Sequence, residues 1–224
     1  MCGRFTRSQS VPAIAQEFGV SEVSFDLGPS YNIAPTQKVA VIISDGVRQL
    51  VPVRWGLVPS WAKDISVGNK LINARAETIT EKASFRNAFK KRRCLVVADG
   101  FYEWQNLGGT KRPMYIRLKS GKPFGFAGLY EVWNPPEGEK LTTCAIVTTE
   151  ANELMKPIHE RMPVIIPRES EDEWLDSSAA DHDALLQLLK PYAADEMEAY
   201  PVSKQVNSPR NNSPECIKRL KLVV

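Results

Sequence analysis

A chain of 224 residues, 43% of them hydrophobic and 25% charged, has an ordinary globular balance, and its length suits a single domain over 1–224 that needs neither metal nor disulfide staple. No apolar run of about 18 residues occurs, which excludes a membrane-spanning helix. The formal net charge is only +3, yet residues 48–119 hold 15 Lys or Arg against 5 Asp or Glu, while the rest holds 14 against 21. Such a basic middle suits a polyanion groove; it equally suits long cationic side chains that solvate a mostly β surface. The four cysteines are far apart with no CxxC pair, and there are two histidines, so neither a zinc site nor a disulfide framework nor a cofactor is expected. The start, MCGRFTRSQS, carries charge without an apolar core and does not read as a secretory signal. A cytoplasmic monomer, nucleoid-associated when DNA is bound, is the expectation.

Along the chain, the first chemical feature is Cys2, directly behind the initiator methionine. Its small side chain suits removal of Met1 by a peptidase or by the protein itself. That leaves an α-amine and a thiol on adjacent carbons, with ordinary pKa values near 8 and about 8.5, so reactive forms of both exist at neutral pH. An aldehyde condenses with such an amine to an imine, and the thiol can then close a five-membered thiazolidine. Oriented intramolecular steps of that sort gain about 7–11 kcal/mol. An internal cysteine cannot do this, because its nitrogen is locked in an amide. A cysteine near a chain start is also a common accident. Gly3, which permits a tight backbone path, and Arg4, a cation suited to phosphate or thiolate, favour the reactive reading.

Val11, Ile14, Ala15 and Phe18 recur at helical spacing, with Ser10 as cap and Gly19 as stop, and predict a helix over 11–18. Strands are predicted at 39–43, 49–55, 95–98, 114–118, 124–130, 142–147 and 164–166, with turn signals at Asp45-Gly46, Gly108-Gly109 and 134–138. Hairpins are expected at Asp45-Gly46 and at 119–122. Residues 84–91 read as a short helix turning Phe85, Ala88 and Phe89 inward, and 181–190 as another with Leu185, Leu188 and Leu189 on one face. The acidic stretch 168–183 is expected to be solvated, and the tail 200–212 to be pinned by side-chain hydrogen bonds. Ser213-Pro214 starts a last helix that buries Cys216. Cys94 and Cys144, inside apolar strands, read as core thiols. The helices are few and peripheral and do not alternate with the strands. The fold class is therefore α+β, β-dominated, with an antiparallel, barrel-like sheet core.

Several separated motifs carry a resemblance over essentially the whole chain: MCGRF at 1–5, YNIAPT at 31–36, WGLVPSW at 55–61, INARAET at 72–78, ADGFYEW at 98–104, TT at 148–149, IHERMP at 158–163 and PVS at 201–203. The sequence resembles the SRAP (SOS response-associated peptidase-like) family, which includes a bacterial protein that crosslinks to abasic sites and a vertebrate counterpart. The resemblance implies a β-dominated domain with a shallow positive cleft leading to the amino terminus. It implies Cys2 as nucleophile after loss of Met1, and Asn73 as the residue that positions Cys2 and the opened sugar. It also implies Glu103 for proton transfer, His159 for opening the deoxyribose ring, and Arg75 for a phosphate near the lesion. Arg4, Arg161 and Trp61 fall along the implied DNA path, where this chain departs from the usual pair of apolar residues by carrying Ser60 before Trp61.

Chemistry supports the same set. Abasic deoxyribose is mostly a closed hemiacetal, and opening it moves a proton from the anomeric hydroxyl to the ring oxygen, for which an imidazole is suited. His159 can serve so, or be an ordinary hydrogen-bonded strand-edge histidine; His182, in DHD, reads as a surface residue. Glu103, flanked by Phe101, Tyr102 and Trp104, is either a carboxylate on the wet face of a strand or a partly desolvated acid. Asn73 can orient an amine or a hydroxyl, or close a loop. Arg54, Arg75, Arg86 and the run KKRR at 90–93 could contact phosphates. Trp55, Trp61 and Trp104 could stack on bases or pack in a core. Pro35, Pro59 and Trp61 could form a ledge that stops a duplex, so the expected partner is single-stranded DNA with an abasic site, including single-strand/duplex junctions. Two other readings compete: a peptidase on other proteins using Cys2, His159 and Glu103, and a non-catalytic single-strand binder.

Overall fold

Strand alternation in this chain buries both faces of a barrel wall, one under a second sheet and the other under helices. The computed structural model describes residues 2–220 apart from Ser24, Asp26, Pro136 and Ala180. The chain begins with β1 (Phe5–Arg7), α1 (Val11–Phe18), β2 (Glu22–Val23), β3 (Ser30–Ile33), β4 (Lys38–Ser44) and β5 (Arg48–Trp55). It continues through β6 (Asn73–Arg75), α2 (Arg86–Lys91), β7 (Arg93–Ala98), β8 (Gly100–Leu107), β9 (Thr110–Leu118), β10 (Phe124–Trp133) and β11 (Leu141–Glu150). It closes with β12 (Arg161–Pro163), β13 (Ile165–Ile166), α3 (Glu171–Leu175), α4 (His182–Gln187) and β14 (Met197–Pro201), with 3₁₀ turns between.

One sheet runs β14-β9-β8-β1-β3 and the other β12-β11-β10-β7-β4-β5-β2. Parallel pairing of β5 with β11, Arg54 opposite Thr143 and Trp55 opposite Cys144, closes β5-β4-β7-β10-β11 into a barrel. The fold is α+β with this barrel as core and helices at the periphery. Val41, Val53, Val96, Phe126 and Ile146 face the five-stranded sheet, where they pack on Phe5, Phe101 and Ile116. Their neighbours Ile42, Leu50, Leu95, Leu129 and Val147 face Ile14 and Phe18 of α1, Phe89 of α2 and Trp174 of α3. At the seam between the sheets the ring of Phe5 meets Trp55 edge-on at 5.1 Å and Phe126 at 5.8 Å. Each such buried side chain is worth about 1.5–3 kcal/mol of transfer free energy.

Local rules explain α1 as expected. Ser10 Oγ accepts from the Ala13 N–H at 3.4 Å, and Gly19, at φ 60°, returns its N–H to the carbonyls of Ala15 and Gln16. Cys94, Cys144 and Cys216 are all buried thiols. The tail is pinned as expected: Asn32 Nδ2 donates to the carbonyls of Ser208 at 2.9 Å and Asn211 at 2.7 Å, and the Tyr31 N–H donates to Asn212 Oδ1 at 2.6 Å.

Three expectations are corrected. The turn at 119–122 does not close a hairpin, because β9 pairs with β8 and β14 whereas β10 pairs with β7, β11 and β13, so the chain changes sheet there. The acidic stretch is not simply solvated. Trp174 and Leu175 are buried on the barrel, Trp174 Nε1–H donates to the Cys94 carbonyl at 2.8 Å, and buried Glu171 takes ion pairs from Arg48 and Arg168. The last helix is one 3₁₀ turn, Pro214–Ile217. No helix among the described residues is long and apolar enough to cross a membrane.

Candidate active site at the amino terminus

The amino terminus is steered into the seam by β1, which lies between β3 and β8 with Phe5 opposite both Ile33 and Phe101. Asp99, at the corner between β7 and β8, fixes that strand. Its carboxylate accepts from Thr6 Oγ1 at 2.5 Å, from the Ser8 N–H at 2.5 Å and from the Gln9 N–H at 3.1 Å. Gly100 follows because a Cβ there would fall 2.2 Å from the Tyr115 hydroxyl oxygen. Cys2 ends this path 0% exposed, among the apolar residues between the sheets. Met1 lies outside the described residues.

Asn73 reaches Cys2 from the barrel side. β6 runs parallel to β11 with Asn73 opposite Ile146, which faces the five-stranded sheet, so Asn73 shares that face. Its Nδ2–H donates to the Cys2 carbonyl at 2.9 Å. Its Oδ1 is buried and has no hydrogen-bond partner, an acceptor placed for an incoming donor. Glu103 reaches the same corner from the other sheet. Along β8, Phe101 and Glu103 point into the seam while Tyr102 packs on the opposite face with Tyr115 and Tyr200. Glu103 is 4% exposed, which removes the wet-face reading. Burial first, and then the neighbouring Glu103 charge, push the Cys2 thiol far above its ordinary range. The sulfur is therefore held as a neutral thiol while it stays enclosed.

His159 is half-buried just before β12. The Arg161 N–H donates to its Nδ1 at 3.1 Å, which leaves the proton of the neutral imidazole on Nε2. The turn that carries it is tied to β8, since Gln105 Nε2–H donates to the Pro157 carbonyl at 3.1 Å. The amino terminus, β6 and β8 thus meet, and the turn before β12 is tied to β8 beside them.

The cations differ in how they are engaged. Arg4 is half-buried and clamped: Nη1 donates to Asn32 Oδ1 and to the Val206 carbonyl, both at 2.7 Å, and the guanidinium lies over Trp104. Desolvation lowers its pKa. Arg54 donates to Asn69 Oδ1 at 2.9 Å and to the Gly56 carbonyl. Arg75 is exposed, two residues beyond Asn73 and opposite Thr148. Arg161 forms a fork with Glu77, at 2.9 Å and 3.0 Å, and donates to the Thr148 carbonyl at 2.7 Å. Arg86 sits on α2, on the helix-covered side of the barrel, away from the Cys2 seam. Within KKRR, Arg93 is spent on the carbonyls of Phe89, Lys90, Trp174 and Asp176, and Arg92 on Glu131. Trp55 is a core residue and Trp104 bonds Asn207, whereas Trp61 is 63% exposed. Pro35 is half-buried and Pro59 buried.

Two residues of this neighbourhood escaped the sequence reading. Asn32 and Glu77 lie within YNIAPT and INARAET, but polar side chains in short motifs do not announce which backbone or guanidinium they will meet. Among the described residues, no group of three or more His, Cys, Asp or Glu is placed to hold a metal. The corner brings together a buried thiol, the open acceptor of Asn73 and a buried carboxylate, with an imidazole on the turn tied to β8.

The family model for SOS response associated peptidase (SRAP) matches residues 1–209. The chain is 54% identical over 221 residues to the abasic site processing protein YoqW of Bacillus subtilis, covering 97% of this chain and 99% of that one. It is 37% identical to the abasic site processing protein HMCES of Rattus norvegicus, covering 88% of this chain and 66% of that one. An X-ray structure of a protein from Bacteroides thetaiotaomicron superposes with a TM-score of 0.89 at 31% identity, covering 98% of this chain and all of that one.

Proposed function

The chain belongs to the SOS response associated peptidase family, and on that premise we propose that it captures abasic sites in single-stranded DNA through Cys2. Hydrolysis of the Met1–Cys2 peptide bond consumes one water and frees methionine and the Cys2 α-amine. That amine condenses with the C1′ aldehyde of the opened sugar and expels one water. The thiol sulfur then adds to the imine carbon, its proton passes to the nitrogen, and a thiazolidine closes with nothing further lost.

The observation that carries this reading is the lodging of Cys2 in a corner built from remote segments, with Asn73 bonded to its carbonyl at 2.9 Å and Glu103 buried on the facing strand. A surface thiol would need no such enclosure. Asn73 Oδ1 takes the amine or a sugar hydroxyl, His159 moves the proton of ring opening, and Glu103 accepts and returns protons in peptide-bond hydrolysis and in the imine step. The amine attacks first and the sulfur second, because the ring closes by addition of sulfur to the imine carbon. The imine also makes the adjacent carbon acid, so strand cleavage on the 3′ side is a slow companion reaction. Arg75 and Arg161 supply phosphate contacts beside the lesion, Arg4 and Arg54 lie further along the strand path, and Trp61 with Pro35 forms the ledge at a junction. The peptidase activity is confined to Met1, and the protein works in the cytoplasm on the nucleoid.

The test is incubation of the full chain with single-stranded DNA whose uracil has been excised. The chain should form an adduct that survives heat and denaturant, and Cys2→Ala should form none. Equal adduct from both would end the proposal. Turnover of foreign peptides by Cys2 would favour a general peptidase instead.

A further inference from the structure

The fork between Arg161 and Glu77 stands beside the Cys2 corner, and the phosphate contact proposed for Arg161 leaves Glu77 without a part. Asn73 and Arg75 lie two residues apart on β6, about 6.6 Å along one face, and Arg75 pairs with Thr148 of β11. Arg161, from β12 on the other side of β11, donates to the carbonyl of that same Thr148. Glu77, in the 3₁₀ turn that follows β6, accepts both forked donors of Arg161 and also feels the charge of Arg75. Burial pushes its carboxyl up, but the Arg161 bonds, its own backbone N–H and the charges of the two arginines together hold it below the ordinary range.

An incoming phosphodiester therefore meets Arg161 already occupied. Both terminal nitrogens are engaged, and Nε–H is buried without a partner. The occupant, however, is a side chain 51% exposed, and its carboxylate offers the same two-oxygen geometry that a phosphate offers a guanidinium. We propose that Glu77 is an internal phosphate mimic, a displaceable counter-ion that occupies Arg161 until a backbone phosphate of the strand replaces it. This rests on the reading of the site as one for abasic single strands and adds a specificity element to it. With Glu77 in place, intact strands gain little from Arg161. A strand captured through its aldehyde is held covalently whether or not Arg161 is gained, so the counter-ion weighs mainly on intact strands. Glu77 thus acts by repelling the wrong complex as much as by ordering the free protein.

The experiment measures non-covalent binding of an intact single-stranded oligonucleotide, which has no aldehyde to capture, to the full chain and its variants at several salt concentrations. Glu77→Gln should bind about threefold tighter or more, with a salt slope steeper by about 0.7, the value for one further phosphate neutralised on a single strand. Arg161→Met should remove that gain, so that the double variant matches Arg161→Met alone. Glu77→Asp keeps the charge but shortens the reach, and should fall between the parent and Glu77→Gln. Unchanged or weaker binding by both Glu77 variants overturns the proposal, as does an equal gain in the Arg161→Met background, which would mark a general charge effect. Adduct formation by the parent on an abasic strand is read in parallel. Its absence would sink the function itself, whereas adduct with no Glu77 effect sinks only the exchange.

Discussion

Arg93 and Arg161 each open a strand, β7 and β12, and each is largely withdrawn from water, but their hydrogen bonds have different fates. Arg93 is committed to backbone carbonyls at the ends of α2 and α3, acceptors that cannot leave without unfolding. Arg161 is committed to one fixed carbonyl and to a carboxylate on an exposed side chain that can swing away. Cation density in a sequence is therefore a poor guide to a polyanion site. Arg92 and Arg93 of the densest run, KKRR, bond Glu131 and backbone carbonyls near α2 and α3, whereas the isolated arginines Arg75 of β6 and Arg161 of β12 flank the Cys2 corner.

The widest gap between the two is expected in stability. Arg93→Met should lower the free energy of unfolding by about 3 kcal/mol or more, because several carbonyls lose a buried charged donor. Urea denaturation reads this directly, and a loss under about 1 kcal/mol would break the contrast. Arg161→Met should cost much less in stability and should slow adduct formation instead. Next in size is Asn73→Ala, expected to slow adduct formation by about a hundredfold with little change in melting temperature, since its Nδ2 bond orients a group rather than supporting a core. Single-turnover kinetics against denaturation midpoints would separate these roles.

A smaller effect follows from the enclosed thiols. Burial raises the pKa of Cys2, Cys94 and Cys144 in the folded chain. Above the ordinary thiol range of about 8.5 the unfolded chain loses these protons and the folded chain keeps them, so stability present below that pH is lost as pH rises beyond it. Melting temperature should fall from about pH 9 upward, and Cys94→Ala/Cys144→Ala should flatten the fall. Smallest of all, Lys90→Gln with Lys91→Gln on α2 should leave binding to single strands within about twofold, because these exposed residues sit on the helix-covered side of the barrel. A larger loss would move the DNA path to that face.

Much of this was legible in the chain, for reasons that differ by element. α1 was readable because four apolar residues and both caps agree. The long barrel strands were readable as apolar runs, since both of their faces are covered. β8 escaped because its alternation is masked: Tyr102 packs under the tail on one face while Phe101 packs in the seam on the other. The turn at 119–122 signalled reversal correctly, yet a turn cannot specify which sheet the next strand joins. Cys2, Asn73, Glu103 and His159 were named through their motifs. Their meeting depends on β6 lying parallel to β11 and on β1 lying beside β8, pairings between segments about 70 to 95 residues apart that local pattern does not encode. Glu77 carries no local signal, because its partner Arg161 arrives from β12.

The most direct test is mass analysis of the species formed with a short abasic oligonucleotide, followed by mapping of the joined peptide. The account predicts a protein that has lost methionine, gained the oligonucleotide and shed one water, with the bond at residue 2. A joined species that still carries methionine, or whose linkage maps to a lysine, would contradict it.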